Sequence, residues 1–245
     1  MNYAVFKLTM QELTGRRHLA LVGLLALLPT FVAIAYRLGN QRTDPPQWTA
    51  DVLLDGVVVT ILLPLVALIF GTSAMGSEIE DGTVIHLLSK PVPRREIIQA
   101  KLASACLLTA LVVLPSAALS GTIAIWGSPE QGIVTGFVMA SLIGALAYTS
   151  IFVMLSVLTN RALFAGLGYV FLWEGLVTQL FSGSRYFSVR QCCLGVADLI
   201  ASAGEKTFSA QVGGVESLII LAITVFGSVV LAVRLLESFD VGQGS

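Results

Sequence analysis

An ionisable side chain lies inside one of the apolar runs of the sequence. Glu174 occurs in YVFLWEGLVTQLF, and Thr178 follows four residues later on the same helical face. In a membrane such a carboxylate is costly and usually faces a cavity or a partner. Two roles are open for Glu174 and Thr178: contact with a polar pathway or a dimer axis, or a local structural hydrogen bond.

A dense charged segment, residues 78–101, separates two apolar runs and reads EIEDGTVIHLLSKPVPRREIIQAK. Leu87 and Leu88 form part of a narrow apolar face on a predicted two-turn helix. Acids precede this helix, where the helix dipole favours them, and Lys90 and Pro91 end it. The segment is either a solvated connection between spans or a short helix that docks into a groove on another protein.

The sequence gives little support for metal binding, for catalysis by a membrane enzyme or for ATP binding. His18 and His86 stand alone, so no metal-ligand spacing is present. A membrane enzyme would need a Glu–His cluster, a Ser–His pair or paired acids at membrane depth, and Glu174 has no acidic partner in its run. No G-x-x-x-x-G-K-[ST] motif occurs, so we expect no P-loop ATP site and no cofactor in this chain.

Composition indicates an integral membrane protein. The 245 residues are 56% hydrophobic and only 12% charged, about half of the roughly 25% charged residues of a soluble domain. A net charge of −1 offers no electrostatic footprint for nucleic acid. The odd number of cysteines, with one adjacent pair, is no disulfide framework.

Apolar runs of about 20 residues predict an all-α polytopic fold of six transmembrane helices in one domain, residues 1–245. The predicted spans are residues 19–36, 52–75, 98–126, 133–158, 162–181 and 216–234. Residues 1–18 are predicted to form an amphipathic interfacial helix, in which Glu12 and Arg16 are four apart. They lack an apolar core followed by a cleavage site, so we expect no removable signal peptide.

Positive charge favours cytoplasmic termini. With the N-terminus inside, nine lysines and arginines lie on the cytoplasmic side and five outside. Residues 78–96 are then cytoplasmic, and we expect Arg94, Arg95 and Lys101 to hold the start of the third span at the lipid headgroups. Asp55 would lie near the outer end of the second span and reach water.

Residues 182–215 form the longest connection, on the outer side. Val189, Cys193, Val196 and Ile200 have helical spacing, which predicts one or two short amphipathic helices; an ordinary solvated loop fits the periodicity equally well. Gly136, Ala140 and Gly144 form a stripe of small residues on the fourth span. Such stripes permit close helix packing, within the chain or, as a second choice, at a dimer seam.

The charged segment resembles the signature between the second and third helices of type-2 ATP-binding-cassette (ABC) permeases. The pattern is E-x-E-x-G-T, a leucine pair, K-P-V-P-R-R and a later K-L. Pro93 departs from it, because that family commonly has Ser or Thr there. The matching residues are Glu78, Glu80, Gly82, Thr83, Leu87, Leu88, Pro91, Arg94, Lys101 and Leu102.

The resemblance implies a permease subunit of an ABC transporter in the cell inner membrane, with residues 83–90 as a coupling helix seated in a cytoplasmic ATPase. The first nine matching residues, from Glu78 to Lys101, would form this ATPase contact. Glu12 and Arg16, on the N-terminal helix, would form a second. ATP and magnesium would belong to an ATPase dimer, and a second permease chain would complete a pathway closed on the outer side by the helices of residues 182–215.

Two functions are compatible with the resemblance. The first is export of a substrate that the sequence does not identify. The second is an accessory assembly or maturation role in an envelope system, with the same architecture and no small-molecule cargo.

Overall fold

A computed structural model describes residues 3–39, 44–80, 93–128, 130–159, 161–178, 182–201 and 210–238. All regular structure in these ranges is helical. The helices are α1 (Tyr3–Leu13), α2 (Arg16–Leu38), α3 (Pro45–Trp48, continuing as the π-helix Thr49–Leu62 and the α-helix Leu63–Glu80), α4 (Arg94–Ala124), α5 (Gly132–Leu158), α6 (Ala162–Gly168, continuing as the π-helix Tyr169–Val177), a 3₁₀-helix (Ser182–Phe187), α7 (Val189–Ala201) and α8 (Gly214–Ser238).

Within the described residues, five helices are long and apolar enough to cross a membrane: α2, α3, α4, α5 and α8. These confirm the predicted spans one to four and six as apolar helices. The predicted fifth span corresponds to α6, whose apolar part, Ala162–Val177, is shorter. Residues 179–181 of that prediction lie outside the described residues, so the count of six spans stays a prediction.

The predicted N-terminal helix is shorter than expected. It ends at Leu13, and Arg16 already begins α2. Glu12 and Arg16 therefore lie on different helices and not four residues apart on one. The helix α1 is amphipathic as predicted, since Thr9 and Leu13 are buried while Lys7 and Glu12 are exposed.

The helices alternate in direction, which gives the bundle two ends. One end is here called the α1 end. There α1 lies beside the first part of α4, and the hydroxyl of Ser104 donates to the carbonyl of Phe6 at 3.4 Å. The last turn of α8 lies at the same end. At the other, the α7 end, α7 packs across the start of α5. Tyr36 stacks on Trp48 at this second end, with ring centroids 3.7 Å apart.

Among the described residues, two helices are partly π-helical near the α7 end. The π-helical part of α3, Thr49–Leu62, stops two residues before Pro64, which has no N–H to donate into a helical ladder. The second π-helical stretch is Tyr169–Val177 of α6. Such wide turns are rare and often mark functional positions.

Residues 182–215 contain a helix, α7, as one of the two sequence alternatives predicted. Helix α7 buries Val189, Cys192, Cys193 and Val196. It packs against α5 on the stripe of small residues, which explains the stripe: close packing within the chain is confirmed. A Cβ placed on Gly136 would lie 2.7 Å from the carbonyl oxygen of Ala197, closer than real Cβ atoms approach.

The close contact between α5 and α7 predicts that even a glycine-to-alanine substitution at this contact lowers the stability of the protein. Gly136→Ala places a methyl group against the backbone of α7, which cannot rotate away, so we expect a loss of about 1 to 3 kcal/mol of stability. The measurement is the thermal unfolding midpoint of the protein in detergent micelles.

Gly132→Ala is the matched control, because the nearest atom to its new methyl group is the Ala201 carbonyl oxygen at 4.0 Å. This variant should unfold at the wild-type temperature or slightly above it. Equal midpoints for Gly136→Ala and the wild type would contradict the close approach of α7.

Candidate functional site

The predicted coupling residues that the structure describes lie at the α1 end. Glu78 and Glu80 lie in the last turn of α3, and Arg94 begins α4. Between them, residues 81–92 lie outside the described residues. These include the predicted contacts Gly82, Thr83, Leu87, Leu88 and Pro91, whose role stays a prediction.

Arg94 makes a contact within the chain. Its Nη1 donates to the carbonyl oxygen of Leu236 at 2.8 Å, in the last turn of α8. The carbonyls of a last helical turn have no intrahelical donors and carry the negative end of the helix dipole. Arg94 therefore ties the beginning of α4 to the end of α8, although 142 residues separate the two positions.

The prediction that Lys101 lies at the lipid headgroups is wrong. Helix α4 begins at Arg94, so Lys101 lies about two turns inside it, and its side chain is fully buried. Its Nζ donates to the carbonyl oxygen of Ala74 in α3. Lys101 thus joins α4 to the C-terminal part of α3, close to where the coupling segment leaves that helix.

The predicted second contact lies at the same end. Glu12 is exposed on α1, and Arg16 begins α2. Because α1 packs beside the start of α4, Glu12 lies at the end of the bundle from which residues 81–92 depart. The structure therefore brings the two regions assigned to a partner to one end of the molecule.

Glu174 lies at the α7 end and makes the local hydrogen bonds of the structural alternative. The residue is 5% exposed. Its carboxylate accepts hydrogen bonds from the hydroxyl of Ser188 at 2.5 Å, the backbone N–H of Val189 at 3.0 Å and the hydroxyl of Tyr169 at 3.2 Å. The hydroxyl of Thr178 donates to the backbone carbonyl of Glu174 at 2.7 Å. A pathway or dimer role for Glu174 and Thr178 stays a prediction.

The bonds to Glu174 begin helix α7. The hydroxyl oxygen of Ser188, the residue before α7, also accepts from the backbone N–H of Gln191 at 3.2 Å, as an N-cap does. The carboxylate of Glu174 satisfies the next orphan donor, Val189, and places negative charge at the positive end of the helix dipole. A side chain from α6 therefore completes the N-terminus of α7.

The sequence suggested that Asp55 reaches water, but the structure shows it in an ion pair. Its two carboxylate oxygens accept from Nε and Nη2 of Arg190 at 3.0 and 2.9 Å, a bidentate pair between α3 and α7. The two side chains are 16% and 17% exposed. Residues 55 and 190 are 135 positions apart, and no local pattern in the sequence connects them, so sequence reasoning missed Arg190.

The adjacent cysteines lie on the buried face of α7. Burial, followed by the charge of Glu174, raises the pKa of the Cys192 thiol to about 12. Burial likewise raises the pKa of Cys193 well above its usual value. Since the thiolate is the reactive form, both thiols should react slowly near neutral pH while α7 stays seated.

The Arg94 contact predicts a local effect at the end of α8. Arg94→Ala removes a charge-assisted hydrogen bond of about 1.5 to 3 kcal/mol, so amides near Leu236 should exchange with solvent at least about tenfold faster. Hydrogen-exchange mass spectrometry of the peptide that contains residues 230–238 measures this rate.

Arg95→Ala provides the comparison, because Arg95 is the exposed neighbour of Arg94. It should leave the exchange of α8 unchanged. If both variants exchange alike, the link between α4 and α8 is absent.

The Glu174 network predicts a loss of stability without a change of size. In Glu174→Gln, the neutral amide keeps one acceptor oxygen but places its NH₂ group opposite a hydrogen-bond donor. We therefore expect the free energy of unfolding to fall by about 1 to 3 kcal/mol. The thermal midpoint in micelles should fall, whereas Glu216→Gln, at an exposed site, should leave it unchanged. An unaltered midpoint for Glu174→Gln would refute the network.

Comparison with known protein families gives a match that extends over most of these helices. The family described as ABC-2 family transporter protein matches residues 8–189, from α1 to the start of α7. A search of curated proteins found no match. The family match covers well over half of the 245 residues and includes the charged segment between α3 and α4. The chain belongs to the ABC-2 transporter family.

Proposed function

We propose that this chain is the permease subunit of an ABC exporter, driven by separate ATPase subunits that dock on residues 78–96. The observation that carries the proposal is the convergence at the α1 end. Helix α1, the end of α3 and the start of α4 meet there. A cytoplasmic partner could thus contact both predicted regions at once.

The contacts of Arg94 and Lys101 support a mechanical role for that end. The coupling segment connects α3 to α4, and these side chains join the start of α4 to α8 and to α3. A displacement of the segment would therefore act on three helices together. We assign to Arg94 and Lys101 the transmission of that displacement, while Glu78 and Glu80 stand nearer the ATPase.

A second permease chain would pack against the helices that this chain leaves uncovered. Only 17% of the apolar windows of α2 and of α8 is buried, compared with 61% of α5. Phe171, Leu172 and Leu176 of α6 are likewise more than half exposed. Lipid and a second copy are the two surroundings suited to such faces, and we propose a homodimer with lipid around it.

Orientation and direction complete the proposal. The excess of lysine and arginine on one side supports cytoplasmic termini in the inner membrane, which makes the α1 end cytoplasmic. ATP and magnesium would be bound by the ATPase subunits. Export, and not import, is what the family resemblance implies, and the substrate is unassigned.

The test reverses charge at the proposed docking segment. Glu78→Lys/Glu80→Lys should reduce co-purification of the ATPase, or lower ATP hydrolysis by the assembled complex at least about tenfold, because like charges directly opposed cost several kcal/mol at an interface. The readouts are the ATPase-to-permease ratio after purification and the rate of phosphate release.

Asp44→Lys/Glu216→Lys is the matched control, since both acids are exposed at the α7 end. It should retain the partner and its ATP hydrolysis. Wild-type coupling in the Glu78/Glu80 variant would refute docking on this segment. An ATPase partner with no transport of any tested cargo, together with a stable complex with an envelope protein, would favour the accessory function instead.

A further inference from the structure

Helix α7 is held at its first turn from two different helices. Glu174 of α6 binds Ser188 and Val189, and Asp55 of α3 binds Arg190. The cap Ser188 and the first two residues of α7 are therefore attached to two helices that are not neighbours in sequence. Both carboxylates, moreover, belong to π-helical stretches.

The two attachments differ in how readily they can be broken. Glu174 is 5% exposed, and loss of its partners would leave a buried carboxylate without hydrogen bonds. The side chains of Asp55 and Arg190 are 16% and 17% exposed, so this pair lies nearer the surface of the chain than Glu174 does, and its separation buries less unpaired charge. The ion pair is therefore the attachment that can open while the Glu174 attachment holds.

The remainder of α7 is held mainly by close packing against α5 and the start of α8, where Gly195 lies against Ser217. One carboxylate bond is added near its C-terminal end, where Asp198 accepts from the backbone N–H of Ala210 at 3.3 Å. The buried face of α7 packs on the small residues of α5, where Cys193 lies against Gly144. Contacts of this kind are lost together if the helix tilts, because they depend on close approach and not on flexible side chains. Cys192 and Cys193 would then meet solvent.

We propose that Asp55 and Arg190 form the releasable half of a clamp on α7, and that their separation lets α7 tilt away from α5 about the Glu174 attachment during the ATP cycle. The proposal rests on the proposed function, which supplies the ATP cycle. Asp55 and Arg190 are positioning residues in it: they set the place of α7 and touch no cargo.

The native cysteines report the opening directly. In a Cys106→Ala background, the complex with its ATPase is placed in lipid nanodiscs and treated with a membrane-impermeant maleimide. The intact mass of this chain gives the labelling rate of Cys192 and Cys193. The wild-type rate should be low without nucleotide and should rise several-fold when ATP and vanadate are added.

In variants that lack the ion pair, α7 should already be tilted away from α5 in the absence of nucleotide. Arg190→Gln and Asp55→Asn should each label about tenfold faster than wild type without ATP, the change expected when a part-buried pair no longer opposes local opening. Arg190→Lys, which retains one ion pair, should label at close to the wild-type rate. This rescue separates the charge from a general structural effect of the position.

Arg185→Gln is the control, since Arg185 lies on the preceding 3₁₀-helix, and it should label as wild type does. Three results would overturn the clamp: wild-type labelling of Arg190→Gln and Asp55→Asn, equally fast labelling of Arg185→Gln, or a wild-type rate that ATP and vanadate leave unchanged in an active complex.

Failure of the proposed function can be distinguished from failure of the clamp. It appears as the absence of a co-purifying ATPase, or of ATP hydrolysis, before any labelling is measured. The nucleotide-free comparison of Arg190→Gln with wild type and Arg185→Gln needs no ATPase, and it still tests the attachment itself.

Discussion

The carboxylate of Glu174 is the interaction on which the α7 end depends. It is a buried polar group in an apolar helix, and the hydrogen bonds from Tyr169, Ser188 and Val189 satisfy it. Two of those donors come from the beginning of α7, so the requirement to satisfy the carboxylate also positions that helix. The packing of α7 on the small residues of α5 and the pairing of Arg190 with Asp55 hold the same helix beside this anchor.

At the α1 end, too, polar side chains of one helix fix the position of its neighbours, but here these side chains are basic. Cationic side chains of α4 bind backbone carbonyls of α8 and α3, so the start of α4 is fixed by groups that every helix possesses. Fixation through backbone atoms places few demands on the partner sequence. The same helix α4 begins at the end of the segment that is proposed to contact the ATPase.

Sequence reasoning succeeded where the physical signal is local. Apolar runs located α2, α4, α5 and α8 within a few residues, and they located α3 although that helix begins earlier, at Pro45 and not at residue 52. The spacing of Gly136, Ala140 and Gly144 correctly indicated close packing. It failed where the outcome depends on distant partners. The burial of Lys101 follows from where α4 begins and what faces it, and the pairing of Asp55 with Arg190 joins residues that only the fold brings together.

The π-helical stretch Thr49–Leu62 has a consequence for how such chains change over time. A π-helical turn contains more residues than an α-helical one, so the stretch can be viewed as extra residues that a regular helix has absorbed. Removing one would let an α-helix form and would rotate everything before it about the axis. Asp55 would then turn away from Arg190, and related chains that differ in length here should differ in how they hold the helix that corresponds to α7.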